Sequence, residues 1–248
     1  MRRFFTEPQH IKNGIAEIFE DSKHIQRVLR MSQGDHILVF DGSGTEYTAE
    51  LISIEKDFCR AKITGSKTSL LEPKTKVTLF QGLPKSGKME TIIQKAVELG
   101  VYEIVPVIMD RSVVQINSKS VGEEKAKRWN KISLEAAKQC GRGIVPAVHP
   151  PVDFETAVCM LRSIEVSLMP YEELGHRGEH GLKDILKDHT DASEFGILVG
   201  PEGGFSDKEV KTATENKIMT IGLGRRILRT ETVASALIPV IMFYKNEF

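Results

Sequence analysis

A glycine-rich loop near residue 200 has the composition of a ligand-binding turn. It reads Val199-Gly200-Pro201-Glu202-Gly203-Gly204-Phe205-Ser206 and joins a predicted strand to a predicted helix. Glycine allows backbone N–H groups to approach a ligand closely. The carboxylate of Glu202 would repel a phosphate, so the loop favours a cation, a neutral ligand or a zwitterion. On spacing alone, a turn that binds nothing is an equally good interpretation.

A second loop, residues 221–232, combines apolar and cationic side chains. Its G-x-G motif lacks the third glycine of the dinucleotide fingerprint, which argues against a Rossmann NAD site. Leu223, Ile227 and Leu228 lie between arginines and predict a flat apolar pocket with the arginines outside it. Both loops follow the last two predicted strands, and open α/β sheets bind ligands at the carboxyl ends of their strands. We therefore expect one site formed by both loops.

A third loop, residues 82–89, has the G-x-x-x-x-G-K pattern of a P-loop. It follows a strand and opens a helix, and a later apolar strand ends at Asp110 as a Walker B strand does. However, Met89 stands where Ser or Thr would hold Mg²⁺, and a thioether cannot replace that hard oxygen ligand. An NTPase is therefore kept as an alternative function, beside a simple helix-start loop with exposed lysines.

The composition limits the class of protein. The chain has 248 residues, and 34 Lys and Arg balance 34 Asp and Glu. Zero net charge argues against non-specific nucleic-acid binding, but basic clusters at residues 119–142 and 224–231 keep an anionic partner open. The three cysteines lack zinc spacing, which predicts no metal site. No segment resembles a membrane helix or a secretory signal, so we expect a cytoplasmic protein with no membrane partner.

The elements that must position these loops fall into two groups. Short strands within residues 1–70 surround one predicted helix at residues 21–31 and indicate a compact barrel-like module. The alternation of apolar residues changes phase near Leu51, which predicts a β-bulge there. Residues 70–74 are the predicted linker.

From residue 76, strands and helices alternate, which predicts an α/β fold with a mostly parallel sheet. An apolar stripe predicts a helix that begins near Met89 and ends at Gly100. Ser206 and Glu209 form a capping box at the start of a later helix, and residues 232–244 form the last one. The predicted strands are residues 77–80, 101–109, 144–148, 166–169, 196–199 and 218–221.

Two motifs are more specific than the rest: GPEGGFS at residues 200–206 and LGRRILRTET at residues 223–232. With residues 2–5, 24–30, 85–100 and 128–142, they resemble the RsmE family of bacterial ribosomal RNA methyltransferases, within the SPOUT superfamily. The matching stretches follow one another in order over nearly the whole chain.

This resemblance implies a PUA-like β-barrel RNA-binding domain at residues 1–70 and a SPOUT domain at residues 71–248. The SPOUT domain is expected to form a deep trefoil knot, and such domains typically work as homodimers. The implied cofactor is S-adenosyl-L-methionine. The implied reaction is methylation of N3 of a uridine in the decoding region of 16S rRNA, at family position 1498, in the small ribosomal subunit. A non-catalytic RNA-binding protein is the remaining alternative.

The expected site residues follow from the resemblance together with the chemistry of the loops. Arg229 and Glu231 are expected to be catalytic, because N3 must lose a proton: a carboxylate could act as base, or an arginine could stabilise the anion. A salt bridge within the loop is the alternative for this pair. The expected cofactor-binding residues are Leu198, Val199, Gly200, Glu202, Gly203, Ile221, Leu223, Gly224, Ile227 and Leu228. The expected RNA-binding residues are Arg2, Arg3, Arg30, Lys85, Lys88, Arg111 and Arg142.

Overall fold

The computed structural model describes residues 1–85, 87–114, 116–177 and 181–248. The chain divides into two compact units. The N-terminal unit consists of Met1–Glu72 and Ala137–Val145, and the C-terminal unit of Pro73–Ala136 and Pro146–Phe248. Within the described ranges, no helix is long and apolar enough to cross a bilayer.

One mixed sheet of six strands forms the N-terminal unit. Its strands are β1 (Arg2–Phe5), β2 (Ile11–Lys12), β3 (Ile15–Ile18), β4 (His36–Phe40), β5 (Thr45–Ile54) and β6 (Cys59–Thr68). They lie in the order β1-β4-β5-β6-β3-β2. Strands β1 and β4 are parallel, and the other neighbours are antiparallel.

For this unit, the predicted bulge is confirmed, and the predicted helix is longer than the helix observed. The register of β5 against β6 shifts between Leu51 and Ser53, so the predicted bulge is confirmed. The predicted helix over residues 21–31 is reduced to one π-helical turn, His24–Val28. It ends early because Arg30 adopts a left-handed φ of 52°, which stops helical propagation.

The segment Ala137–Val145 belongs to the N-terminal unit, although the predicted boundary after residue 70 places it in the second domain. The guanidinium of Arg3 donates hydrogen bonds to the carbonyl oxygens of Ala137 and Arg142. The N–H of Gly44 donates to the carbonyl oxygen of Gly143 at 3.1 Å. These bonds complete the unit with residues that are distant in sequence.

A parallel sheet of seven strands forms the C-terminal unit, as predicted. The strands are β7 (Lys76–Gly82), β8 (Glu103–Ile108), β9 (Ala147–Val148), β10 (Val152–Asp153), β11 (Val166–Pro170), β12 (Glu194–Val199) and β13 (Met219–Ile221). Their order is β10-β8-β7-β12-β11-β13, with β9 paired to β8. The predicted strand at 144–148 is shortened because Ile144 instead bridges Gly42 and Ser43 of the N-terminal unit.

Helices alternate with these strands. They are α1 (Lys88–Glu98), α2 (Lys119–Cys140), α3 (Phe154–Leu161), α4 (Glu172–Arg177), α5 (Leu182–Asp188), α6 (Asp207–Glu215) and α7 (Thr230–Tyr244). Helix α1 buries the predicted stripe that includes Ile92 and Ile93. The capping box of Ser206 and Glu209 starts α6, as predicted.

Candidate functional site

A cavity of about 390 Å³ lies at the carboxyl ends of β11, β12 and β13. Most of its lining comes from three loops, one after each of these strands, because parallel strands bring the segments that follow them to the same edge. The lining residues are Lys88, Arg111, Pro170, Tyr171, Glu172, Glu173, Val199, Gly200, Pro201, Glu202, Gly204, Phe205, Asp207, Leu223, Gly224, Arg225, Arg226, Ile227, Leu228, Arg229, Thr230 and Val233.

Two glycines are required for the walls of this cavity. Gly224 has a φ of 92°, a left-handed conformation that residues with a side chain rarely adopt. Gly82, at the end of β7, packs so closely that a Cβ there would lie 2.7 Å from the nitrogen of Pro201. The end of β7 therefore supports the loop after β12 directly.

The ammonium group of Lys88 joins two carboxylates of the site. Its Nζ lies 3.0 Å from Oε1 of Glu202 and 3.2 Å from Oε2 of Glu231. Hydrogen bonds to Glu202 and then to Glu231 raise the pKa of Lys88. The lysine therefore stays cationic and holds the loop after β12 close to the start of α7.

Backbone hydrogen bonds, together with Lys88, keep both carboxylates ionised. A hydrogen bond from its own backbone N–H lowers the pKa of Glu231, and Lys88 adds to this effect against the opposing influence of burial. Burial acts to raise the pKa of Glu202, but its backbone hydrogen bond and Lys88 outweigh burial, and the net shift is downward. At neutral pH both groups can accept a proton or face a cation.

The two residues expected to be catalytic lie next to each other at the start of α7. Nη1 of Arg229 is 3.9 Å from Oε1 of Glu231. The Arg229 side chain is 82 % exposed, whereas that of Glu231 is 23 % exposed and faces Lys88. The ion pair between them is long, so the exposed guanidinium remains able to meet a second group.

Most of the expected cofactor residues line the cavity. Those that do are Val199, Gly200, Glu202, Leu223, Gly224, Ile227 and Leu228. Leu198 and Ile221 are instead fully buried in the strands behind it. The carbonyl oxygen of Gly203 accepts a hydrogen bond from Arg111 at 3.0 Å, so Gly203 holds a lining residue in place.

The expected RNA-binding residues separate into three groups: exposed residues, residues that line the cavity, and residues with contacts inside the N-terminal unit. Arg2, Arg30 and Lys85 are exposed. Lys88 and Arg111 line the cavity.

Arg3 and Arg142 form the third group, and both make contacts within the N-terminal unit. Arg3 stacks 3.7 Å above the ring of Phe40 and pairs with Glu46 at 3.1 Å. Arg142 pairs with Glu72 at 2.8 Å, and its side chain is 7 % exposed. These contacts give both arginines structural roles within the N-terminal unit, and their assignment to RNA stays a prediction.

The contacts of the loop before α1 do not support the P-loop alternative. The backbone N–H of Lys85, in the loop before α1, donates to both carboxylate oxygens of Glu202 at 3.2 Å. A P-loop would offer its N–H groups to a phosphate, and here a carboxylate occupies that position. Ser86 of this loop lies outside the described residues. No group of three or more His, Cys, Asp or Glu residues in the described part of the chain could hold a metal ion.

Sequence reasoning missed the third wall of the cavity. This wall follows β11 and includes Tyr171, Glu172 and Glu173. It has no glycine-rich motif, and its only signal was its place after a predicted strand of a parallel sheet. Thr230, which lines the cavity at the start of α7, and the buried Gln81 behind it were also missed.

Two family models and several known proteins match this chain. The family model described as RNA methyltransferase domain matches residues 71–242, and the one described as RNA methyltransferase PUA domain matches residues 20–64. Proteins from Bacillus subtilis (strain 168) and Synechocystis, both named Ribosomal RNA small subunit methyltransferase E, are 36 % and 30 % identical to the chain. The matches cover 94 % and 93 % of this chain and 92 % and 73 % of those relatives.

A solved structure is also similar to this chain. It is a Ribosomal RNA small subunit methyltransferase E from Neisseria gonorrhoeae, bound to S-adenosyl methionine. It is 31 % identical to this chain, with a TM-score of 0.86, and the match covers 98 % of this chain and 97 % of that one.

Proposed function

The chain belongs to the family of ribosomal RNA small subunit methyltransferases E, and on this premise we propose that it methylates N3 of a uridine in 16S rRNA. The cofactor is S-adenosylmethionine, and the target is the decoding-region uridine at family position 1498, within the small ribosomal subunit. The observation that carries the proposal is the cavity formed by the loops after β11, β12 and β13, with Arg229 and Glu231 at the start of α7 beside it. The cytoplasm, where ribosomes are assembled, is then its place of action.

The lining of the cavity fits the three chemical parts of this cofactor. Apolar side chains, including Leu223 and Leu228, suit the flat adenine ring, and the backbone of Gly200 and Gly224 offers close polar contacts. The carboxylates of the lining suit the ammonium and sulfonium groups, and its arginines suit the cofactor's carboxylate. The lining therefore offers partners for each part of a cationic zwitterion.

When bound, S-adenosylmethionine supplies an electrophilic methyl group on a sulfonium centre. The protein has to remove the proton from uridine N3 and stabilise the charge that develops on the ring. Its own backbone N–H, and then Lys88, lower the pKa of Glu231, so this carboxylate is ionised and can accept a proton. The exposed guanidinium of Arg229 can stabilise the uracil anion. The two residues thus share deprotonation and charge stabilisation.

The substrate nucleotide has to be unpaired or flipped, because base pairing hides N3. The exposed cations Arg2, Arg30 and Lys85 are proposed to contact phosphates, which position RNA without identifying a base. The PUA match over residues 20–64 supports an RNA-binding role for the N-terminal unit.

A homodimer and a trefoil knot are the proposed architecture of the C-terminal unit. An apolar groove contains Val240 and Phe243, which are 44 % and 72 % exposed, and suits a second copy of the chain.

The knot is supported by the path of the chain: β13 lies at the sheet edge beyond β11, yet the following helix α7 packs against α1. The chain thus returns past the ends of the central strands.

The proposed function is tested by incubating the protein with small ribosomal subunits and methyl-labelled S-adenosylmethionine, and then mapping the modified nucleotide. We expect a single N3-methyluridine in the decoding region. Protein-free 16S rRNA in a parallel reaction tests the need for the assembled particle. RNA binding without methyl transfer would support the non-catalytic alternative, and a methyl group on another base would overturn the assigned reaction.

A further inference from the structure

A short chain of hydrogen bonds lies behind the cavity. Gln81, the residue before Gly82 at the end of strand β7, is fully buried. Its Nε2 donates to Oγ1 of Thr230 at 2.9 Å and to the carbonyl oxygen of Gly82 at 3.0 Å. The hydroxyl of Thr230 donates in turn to the carbonyl oxygen of Gly200 at 2.7 Å.

This chain has a fixed direction. A threonine hydroxyl has one hydrogen to donate, and the carbonyl of Gly200 receives it. The hydroxyl oxygen can then only accept from Gln81, whose amide N–H groups supply the donor. Oε1 of Gln81 is buried and has no hydrogen-bond partner among the described residues. Burying an amide oxygen without a partner costs free energy. The two hydrogen bonds donated by Nε2 are the polar contacts that offset this cost.

The bond to Gly200 controls one particular peptide plane. The peptide between Gly200 and Pro201 has no N–H, because proline lacks one, so its carbonyl is its only polar group. Gly200 begins the loop after β12, and Thr230 begins helix α7 directly after the loop that follows β13. Both residues line the cavity. One hydroxyl therefore joins two of the three segments that form its walls.

We propose that Gln81 and Thr230 are positioning residues that set the affinity for the cofactor. Gln81 orients the Thr230 hydroxyl, and the hydroxyl fixes the Gly200 carbonyl, so that the two walls keep the spacing the cofactor requires. The inference rests on the proposed function, because the ligand whose affinity changes is S-adenosylmethionine. It assigns a role in binding to Gln81, a residue outside the cavity.

The first test uses Thr230→Val, which keeps the shape of the side chain and removes the hydroxyl, and Thr230→Ser, which keeps the hydroxyl. Thr232→Val is the matched control, since Thr232 is exposed in the same turn of α7. Calorimetric titration with S-adenosylmethionine should show about tenfold weaker binding for Thr230→Val, the factor given by 1.4 kcal/mol. Thr230→Ser should bind within about threefold of the wild type, and Thr232→Val should be unchanged.

Gln81→Met gives an independent test, since it keeps the volume of the side chain and removes the donor. It should weaken cofactor binding by about three- to tenfold, because the Thr230 hydroxyl then loses its anchor. In steady-state kinetics the KM for the cofactor should rise by a similar factor, while kcat at saturating cofactor changes less than about twofold. A purely structural role would instead lower the melting temperature and kcat together.

The outcomes separate this inference from the function it rests on. If the wild-type protein does not bind S-adenosylmethionine, both are overturned. If it binds and Thr230→Val binds equally well, only the positioning role is overturned. Equal losses in Thr230→Ser and Thr230→Val would also overturn it, because the hydroxyl would then not matter. If Thr230→Val does not fold, unchanged affinity in Gln81→Met is the result that would overturn the role.

Discussion

The ammonium group of Lys88 lies within 3.2 Å of the carboxylates of both Glu202 and Glu231. One lysine therefore connects the loop after β12 with the start of α7. The pKa of Glu231 is lowered first by its own backbone N–H and then by this ammonium group. The proton acceptor proposed for the reaction is thus tuned by a residue that need not touch the substrate.

Lys88→Met should raise the pKa of Glu231, because the variant removes a cation that lowers it. If ionised Glu231 is the base, the acidic limb of the rate–pH profile for single-turnover methylation should move to higher pH. Glu231→Gln should lower the rate at every pH, by about 10²-fold. Lys95→Met is the control, because it breaks an ion pair with Glu98 on the same helix. An unmoved acidic limb in Lys88→Met would remove Glu231 from the role of base.

Arg229→Ala tests the second half of the proposed chemistry. Its guanidinium is 82 % exposed and its ion pair with Glu231 is long, at 3.9 Å, so affinity for S-adenosylmethionine should change less than about threefold. The single-turnover rate should fall by about 10²-fold, the usual effect of removing one group that stabilises a developing anion. Arg162→Ala, at an exposed arginine after α3, should leave the rate unchanged. A parallel loss of affinity and rate would show that Arg229 only supports the loop.

At the scale of the elements, two titratable side chains, Glu103 at the start of β8 and His149, form a contact that is not part of the cavity. Oε2 of Glu103 lies 2.8 Å from Nε2 of His149. This hydrogen bond raises the pKa of His149, against burial, and lowers that of Glu103. The contact therefore links β8 to the segment after β9 in a pH-dependent way.

The melting temperature should report this contact. A raised histidine pKa stabilises the fold below the ordinary value of 6.5, and this contribution is lost as pH rises through the raised value. The lowered pKa of Glu103 stabilises the fold above its ordinary value of 4.5, so both contributions are present near pH 6. Solvent screening limits the effect to about 1 kcal/mol, or about 2–4 °C.

His149→Gln should therefore reduce the difference in melting temperature between pH 6 and pH 8. His36→Gln, at an exposed histidine on β4, is the control and should keep the wild-type difference. Equal pH dependence in the wild type and His149→Gln would mean that the contact contributes nothing measurable.

The elements also show what the sequence can predict. The parallel sheet and its two glycine-rich loops were predicted correctly, because strand periodicity, turn glycines and a capping box are local signals. The partners of Arg3 and Lys88 were not, because they depend on residues far along the chain. Burial of an arginine by stacking and by carbonyl oxygens leaves no local pattern, so Arg3 had the same signature as a surface base.

At the scale of the whole molecule, the apolar groove and the cofactor cavity share part of their lining. Leu223, Gly224 and Leu228 belong to both. The loop after β13 thus has one surface toward the cavity and another toward the groove. Occupation of the groove by a second copy would stiffen the loop that forms a cavity wall.

Phe243→Asp should convert the proposed dimer to a monomer, because it puts a charge into the apolar groove. Light scattering should show the monomer mass at concentrations where the wild type is dimeric. Affinity for S-adenosylmethionine should fall at the same time, by about tenfold, since the shared loop loses its support. Val28→Asp, at an exposed valine of the N-terminal unit, should remain dimeric. Equal masses for the wild type and Phe243→Asp would contradict the assignment of this face.

The discontinuous N-terminal unit has a consequence for synthesis of the protein. Asp21 pairs with Lys138 at 2.7 Å, and Glu72 pairs with Arg142 at 2.8 Å. The nascent chain therefore contains both acids well before either base has been translated. At about 5–20 residues per second, the interval from Glu72 to Val145 lasts roughly 4 to 15 s. During this time the six strands of the N-terminal sheet are present but Asp21 and Glu72 lack their partners, and the N-terminal unit is completed only after residues 73–136 of the C-terminal unit have been translated.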